Sequence, residues 1–220
     1  MKRMNGLGVR SILMIAGLCV FAGCSTVPHL SSASRSAALP PEKAVIYGRF
    51  GSHHEVLGFH LSLVLVNVES GAESAVLMPH NPKVIAVTLP PGTYQVRYGL
   101  LEGMALSSGW GQESKYEIDA GPFSTPFSIA AGKAYYIGDY MGRVYWDSKG
   151  TSKNKMRVSG TSSLGGGATV SSSYLYAGEV ERCSDNYAVT TAEFLQSYPV
   201  LSKMETVSTR PNSDVPTQRK

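Results

Sequence analysis

The sequence predicts a mainly β protein, an antiparallel β-sandwich closed by a short C-terminal helix, with a small β-barrel as the alternative closure of the same strands. Three observations predict it. Short apolar runs recur from about Ala44 onward, separated by Gly and Pro. In TYQVRY, residues 93–98, Tyr94, Val96 and Tyr98 alternate with Thr93, Gln95 and Arg97, the period of a strand with one face in a core. Near the end the period changes: Phe194, Leu195 and Tyr198 form a stripe on one side of a short helix, and Pro199 ends it.

The chain begins with a different kind of segment. Lys2, Arg3 and Arg10 make a basic region, residues 11–23 are mostly apolar, and Ala22-Gly23 precede Cys24. This is the layout of an export signal, because an apolar stretch of about 13 residues is too short to span a bilayer. Phe21-Ala22-Gly23-Cys24 resembles the bacterial lipobox, although Phe21 stands where that motif usually carries an aliphatic residue. The resemblance implies that Cys24 is diacylated and becomes the first residue of the mature chain. Cys19, behind Gly17-Leu18, is the weaker rival. With no Asp after Cys24, the same resemblance implies sorting to the periplasmic face of the outer membrane in a Gram-negative host.

Residues 1–23 are thus expected to be signal, 24–43 a flexible Ser/Ala/Pro tether, 44–203 the β-sandwich and 204–220 a disordered tail. Removing the three signal cations from 20 Lys plus Arg leaves 17 against 16 Asp plus Glu, so the formal +4 falls to about +1. Such a balance gives no reason to expect nucleic acid. Of three cysteines, only Cys183 would remain unmodified in the mature domain, so no internal disulfide is expected.

Taken in order, AVIYGRF reads as a first strand, GSHHEV as a polar connection and GFHLSLVLVNV as a stronger strand. AESAVLM and KVIAVTL follow, divided by the turn region of Pro79 and Pro82. Pro91-Gly92 suits a type II turn and hence a hairpin into TYQVRY, while GLLEGMALSSGWGQ reads as a long connection. KYEIDA and the span 122–147 supply further strands, with a turn at Ala131-Gly132; KMRVSG and YLYAGEVER are the last strand candidates. GTSKNK and GTSSLGGGATVSSS read as exposed loops, and the triple glycine lacks the lysine and hydroxyl of a phosphate loop. In the helix, Thr190 and Glu193 suit a capping box, with Val189 stapled onto Phe194. LPPGTYQVRYG, SIAAGKAYYIGDY and the terminal helix with Tyr198-Pro199 resemble small bacterial lipoproteins with an immunoglobulin-like or transthyretin-like sandwich, a loose group of unassigned function. No catalytic residue comes with that resemblance.

Chemistry is sparse. His53-His54-Glu55 and His60 lack the helical spacing of a zinc site, no GxSxG elbow accompanies the serines, and Asp119, Asp139 and Asp147 have no visible pairing. No metal, cofactor or catalytic residue is expected. Aromatic residues are the better lead: Trp110, Tyr140, Tyr145 and Trp146 form the candidate recognition surface, since large rings with a polar edge anchor protein contacts or stack on sugars. The expected function is a non-catalytic, membrane-tethered envelope module binding a protein partner. Cell-wall glycan or small-ligand binding is the alternative, and an envelope hydrolase comes third.

Overall fold

The computed structural model describes residues 27–37, 39–55, 58–105, 112–119, 125–152, 155–164, 168–182 and 186–209. Within these, twelve strands form two facing sheets with one α-helix, the mainly β architecture expected. The strands are β1 (Ala44–His54), β2 (Phe59–Asn67), β3 (Glu73–Met78), β4 (Lys83–Leu89), β5 (Gly92–Ala105), β6 (Gln112–Asp119), β7 (Phe127–Ile129), β8 (Lys133–Tyr136), β9 (Tyr140–Trp146), β10 (Lys155–Leu164), β11 (Ala168–Arg182) and β12 (Glu205–Ser208). The helix α1 spans Tyr187–Ser197, and a 3₁₀ turn follows at Pro199–Leu201.

The larger sheet is built on β1. One edge of β1 pairs antiparallel with β4; the other runs parallel first to β8 and then to β9. β8 and β9 act as one strand broken at Ile137–Asp139, and each half takes its own outer neighbour: β12 parallel to β8, β11 antiparallel to β9, with β10 beyond β11. The break needs glycine twice. Gly138 has φ +119°, and a side chain at Gly48 would collide with the Gly138 carbonyl. The smaller sheet runs β3-β2-β5, with β6 and β7 sharing the far edge of β5.

Alternating residues from both sheets meet in one core. Ile46, Phe50, Leu61, Leu63, Val76, Leu101, Ile137 and Val144 are all at most 2% exposed or fully enclosed there. Prolines mark passages between sheets. β3 and β4, divided by Pro79 and Pro82, lie in different sheets, as do β4 and β5 across Pro90-Pro91. The hairpin expected into TYQVRY is therefore absent: β4 pairs with β1, β5 pairs with β2, and the Tyr94 hydroxyl donates to the Pro90 carbonyl at the crossing.

Several segments read as connections are strand. β1 continues through GSHH to His54 because β9 offers it a second partner after β8 ends. β5 continues through GLLEGMA to Ala105, paired with both β2 and β6. β10 and β11 extend to Leu164 and from Ala168, so most of GTSSLGGGATVSSS forms ladder; Gly165–Gly167 lie outside the described residues. Ser, Thr and Gly carry little packing signal, but a backbone ladder does not require apolar side chains.

The two ends of the domain also differ from expectation. The segment read as a flexible tether is docked. Pro28 and Leu30 exchange backbone hydrogen bonds with Ala75 of β3, and Ala33 donates to Ala86 of β4. Leu30 packs against the main core, and His29 Nε2 lies 3.0 Å from Glu102 Oε2. This strap covers the exposed edges of β3 and β4, where unpaired backbone groups would otherwise invite association. At the other end, the expected tail begins too early. Residues 205–208 form β12, and Lys133 Nζ pairs with Glu205 at 2.8 Å; residues 210–220 are outside the described range.

Helix α1 starts three residues before the expected cap. Asn186 is at the N-cap with no side-chain cap bond, while Thr190 is fully buried inside the helix. Glu193 pairs with Arg49 instead of closing a capping box, and Val189 is exposed rather than stapled. The stripe itself is as expected: Phe194 stacks on Tyr47 at 4.2 Å, and Phe194 and Tyr198 join Val45, Val84, Ala86, Ala134 and Tyr136 in a second core on the outer face of the larger sheet. Asp139 pins this layer. It accepts from the Arg49 amide, the Tyr136 hydroxyl, the Thr190 hydroxyl and the Asn186 side-chain amide.

Candidate functional site: the uncovered face of the larger sheet

α1 covers only one half of the larger sheet's outer face. On the other half the same alternation turns His53, Glu55, Met141, Arg143, Tyr145, Glu179 and Glu181 outward, while Tyr140, Gly142, Val144 and Val180 turn to the core. The uncovered side chains are organised. Arg143 pairs with Glu55, its guanidinium lies 5.0 Å from the Tyr145 ring centre, and the Tyr145 hydroxyl donates to Glu179 at 2.7 Å. That hydrogen bond, with burial second, raises the Tyr145 pKa, so the phenol stays a neutral donor. Met141 is 36% exposed beside this row.

Trp146 lies at the end of β9, opposite Tyr176 of β11, and is 58% exposed. Tyr176 in turn packs against Phe59 at 4.7 Å. Together they give this end of the sandwich an aromatic rim. Four histidines gather nearby. His80 is 6.1 Å from His53 and 5.7 Å, edge-on, from His54, and His60 acts electrostatically on His54. His54 Nε2 is buried with no hydrogen-bond partner among the described residues. Burial first, then the neighbouring imidazoles, hold His54 below its ordinary pKa, so it is neutral near pH 7. Among the described residues, no three His, Cys, Asp or Glu side chains are grouped to hold a metal.

The candidate recognition residues divide accordingly. Tyr140 is 2% exposed, stacks on Phe50 and donates to the Ile137 carbonyl, so it belongs to the core and not to a surface. Its even position in β9 puts it there. Tyr145 and Trp146 do reach the surface, on the outer face and at the strand end respectively. Trp110 and Cys24 lie outside the described residues, as does Cys183. Two of the three aspartates have structural work: Asp139 holds α1, and Asp147 accepts the amides of Thr151 and Ser152 in the turn after β9.

Sequence reading does not group Glu55, Arg143 and Glu179: Arg143 and Glu179 are ordinary charged residues in β9 and β11, and Glu55, just after β1, figures there only beside the histidines. Only the parallel pairing of β1 with β9 and the antiparallel pairing of β9 with β11 bring them together. The signal that could have found Arg143 is the odd-numbered alternation through MGRVYW. Elsewhere, two shallow grooves of about 280 and 250 Å³ flank Leu39 and Pro40, between the strap and the 3₁₀ turn. Ser, Ala, Pro, Leu and Met dominate their walls, with no titratable side chain, so they offer no acid, base or charged nucleophile. No protein family matches this chain, and no curated protein is detectably similar to it.

Proposed function

We propose that this β-rich domain is a non-catalytic binding module of the bacterial envelope, anchored through acylated Cys24, and that it engages a protein partner through the uncovered half of its larger sheet. One observation carries the reading. The half of that face not packed under α1 presents a preorganised row, Glu55-Arg143-Tyr145-Glu179, and at the strand end beyond it stands the exposed Trp146, whose even position in β9 turns it toward the other side of the sheet with Tyr176. A large exposed ring next to fixed charges is the composition of an interface anchor, with Trp, Tyr and Arg as the residues that carry most binding energy. The strap supports the same reading by covering the β3 and β4 edges, which leaves the face rather than those edges for contact. The lipid would supply confinement to a surface, raising the effective concentration of any partner on that surface.

Crosslinked affinity capture from envelopes tests this with wild-type protein and the Trp146→Ala variant. The reading expects a specific protein captured by the wild type and lost with Trp146→Ala. The exposed ring of Trp146 also suits stacking on a sugar. Reproducible capture of wall fragments without protein, again lost with Trp146→Ala, would replace the protein-partner reading with the glycan one.

A further inference from the structure

The docked strap does more than seal two strand edges; it restricts how the domain can be presented on a membrane. Val27 packs against Val64, Ala75, Tyr98 and Leu100. These residues lie on the outer face of the smaller sheet, because Leu61, Leu63, Leu65, Val76 and Met78, their alternating neighbours in β2 and β3, are in the core. From Val27 the strap passes the edge of β3 at His29, crosses to β4 at Ser32, and brings Ala33 and Leu39 to the layer that contains α1. The chain therefore enters the domain on the side opposite the helix. Cys24 is only three residues before Val27, a reach of roughly 10 Å at full extension. Packed sheets are about 10 Å apart and a helix layer adds about another 10 Å. The leash is shorter than the thickness of the domain.

We infer that the outer face of the smaller sheet, around Val27, Leu77 and Tyr98, is apposed to the lipid surface, and that α1 and the uncovered half of the larger sheet point away from it. The inference rests on acylation at Cys24. It identifies the lipid headgroup layer as the neighbour of the smaller sheet and leaves the face of Met141, Arg143 and Tyr145 accessible from the compartment. A flexible tether of the kind the sequence suggests would impose no such orientation.

The test uses the acylated mature protein in phosphatidylethanolamine/phosphatidylglycerol vesicles containing a headgroup quencher. Two probe sites are compared in a Cys183→Ser background: Leu77→Cys, on a half-exposed residue of β3, and Val189→Cys, on the exposed side of α1. The expected result is loss of fluorescence from a label at position 77 and none from one at 189. A long Gly/Ser insertion between Thr26 and Val27 should remove the difference while leaving the protein on the vesicles. Equal quenching at both sites without the insertion, or stronger quenching at 189, overturns the orientation while leaving the anchor intact. Protein that carries no acyl group and does not sediment with vesicles overturns the anchor, and the orientation with it.

Discussion

The two halves of the larger sheet's outer face share strands yet have opposite fates. Under α1, β1 contributes Val45 and Tyr47, and β4, β8 and the helix answer with Val84, Ala86, Ala134, Tyr136 and Phe194, all at most 3% exposed. Farther along, β1 contributes His53 outward, β9 contributes Arg143 and Tyr145, and among the described residues no helix covers them. The boundary lies at the break between β8 and β9. There Asp139 collects four kinds of donor and fixes the helix, while the pairing of β1 passes from β8 to β9. The same sheet thus buries its first half under the helix and leaves its second half exposed, the half we propose for recognition. Substitutions in one half should change folding, and substitutions in the other should change binding.

The largest expected effect comes from Phe194→Ala, which removes the ring stacked on Tyr47 and leaves a void under α1; a loss of about 3–5 kcal/mol is expected in denaturant unfolding. A milder result close to that of a surface change would show that the helix layer is not a true core. Asp139→Ala should cost about 3 kcal/mol, since the buried hydroxyls of Tyr136 and Thr190 and the Arg49 amide lose their acceptor. Hydrogen exchange should then rise first in α1, ahead of the central strands. Leu30→Ala, in the strap, should cost roughly 1–3 kcal/mol because this half-buried side chain packs on the main core. No loss at all would mean that the strap rests on the sandwich without stabilising it.

At the exposed end of β9, Trp146→Ala should change stability by no more than about 0.5 kcal/mol while abolishing capture of the partner. The smallest effect is a pH dependence. His54 is held below its ordinary pKa when folded, so the unfolded chain takes up the proton first as pH falls. Its contribution to stability is fully present above about pH 6.5 and declines as pH drops below that value toward the depressed folded pKa. Thermal unfolding from pH 7.5 to 5 should show that decline, and His54→Phe should make it shallower.

Much of the fold was legible because periodicity and proline are local signals. The apolar GFHLSLVLVNV and the stripe of Phe194 and Tyr198 correspond to β2 and α1, and TYQVRY lies in β5, although an irregularity in the pairing with β2 moves Tyr98 to the face opposite Tyr94 and Val96. What local signals cannot carry is partnership. Pro91-Gly92 announced a bend but not that the strands on either side join different sheets. His53 and His54 sounded like a loop until β9 supplied a ladder for them. The Ser/Ala/Pro run after Cys24 has the composition of a linker, and only the open edges of β3 and β4 explain why it docks. At the candidate site, Trp146 and Tyr145 were visible as aromatics, whereas Tyr140 was misassigned for want of a strand phase. Glu55, Arg143 and Glu179 became a group only through tertiary pairing.

The claim that function sits on the uncovered half is tested most directly by site-specific photo-crosslinking in native envelopes. One photoreactive residue replaces Met141, on the uncovered half, and in a second protein one replaces Val189, on the exposed side of α1. The account predicts a discrete protein adduct from position 141 that disappears when Trp146→Ala is added, and no adduct from 189. An adduct from 189 with none from 141 would contradict it.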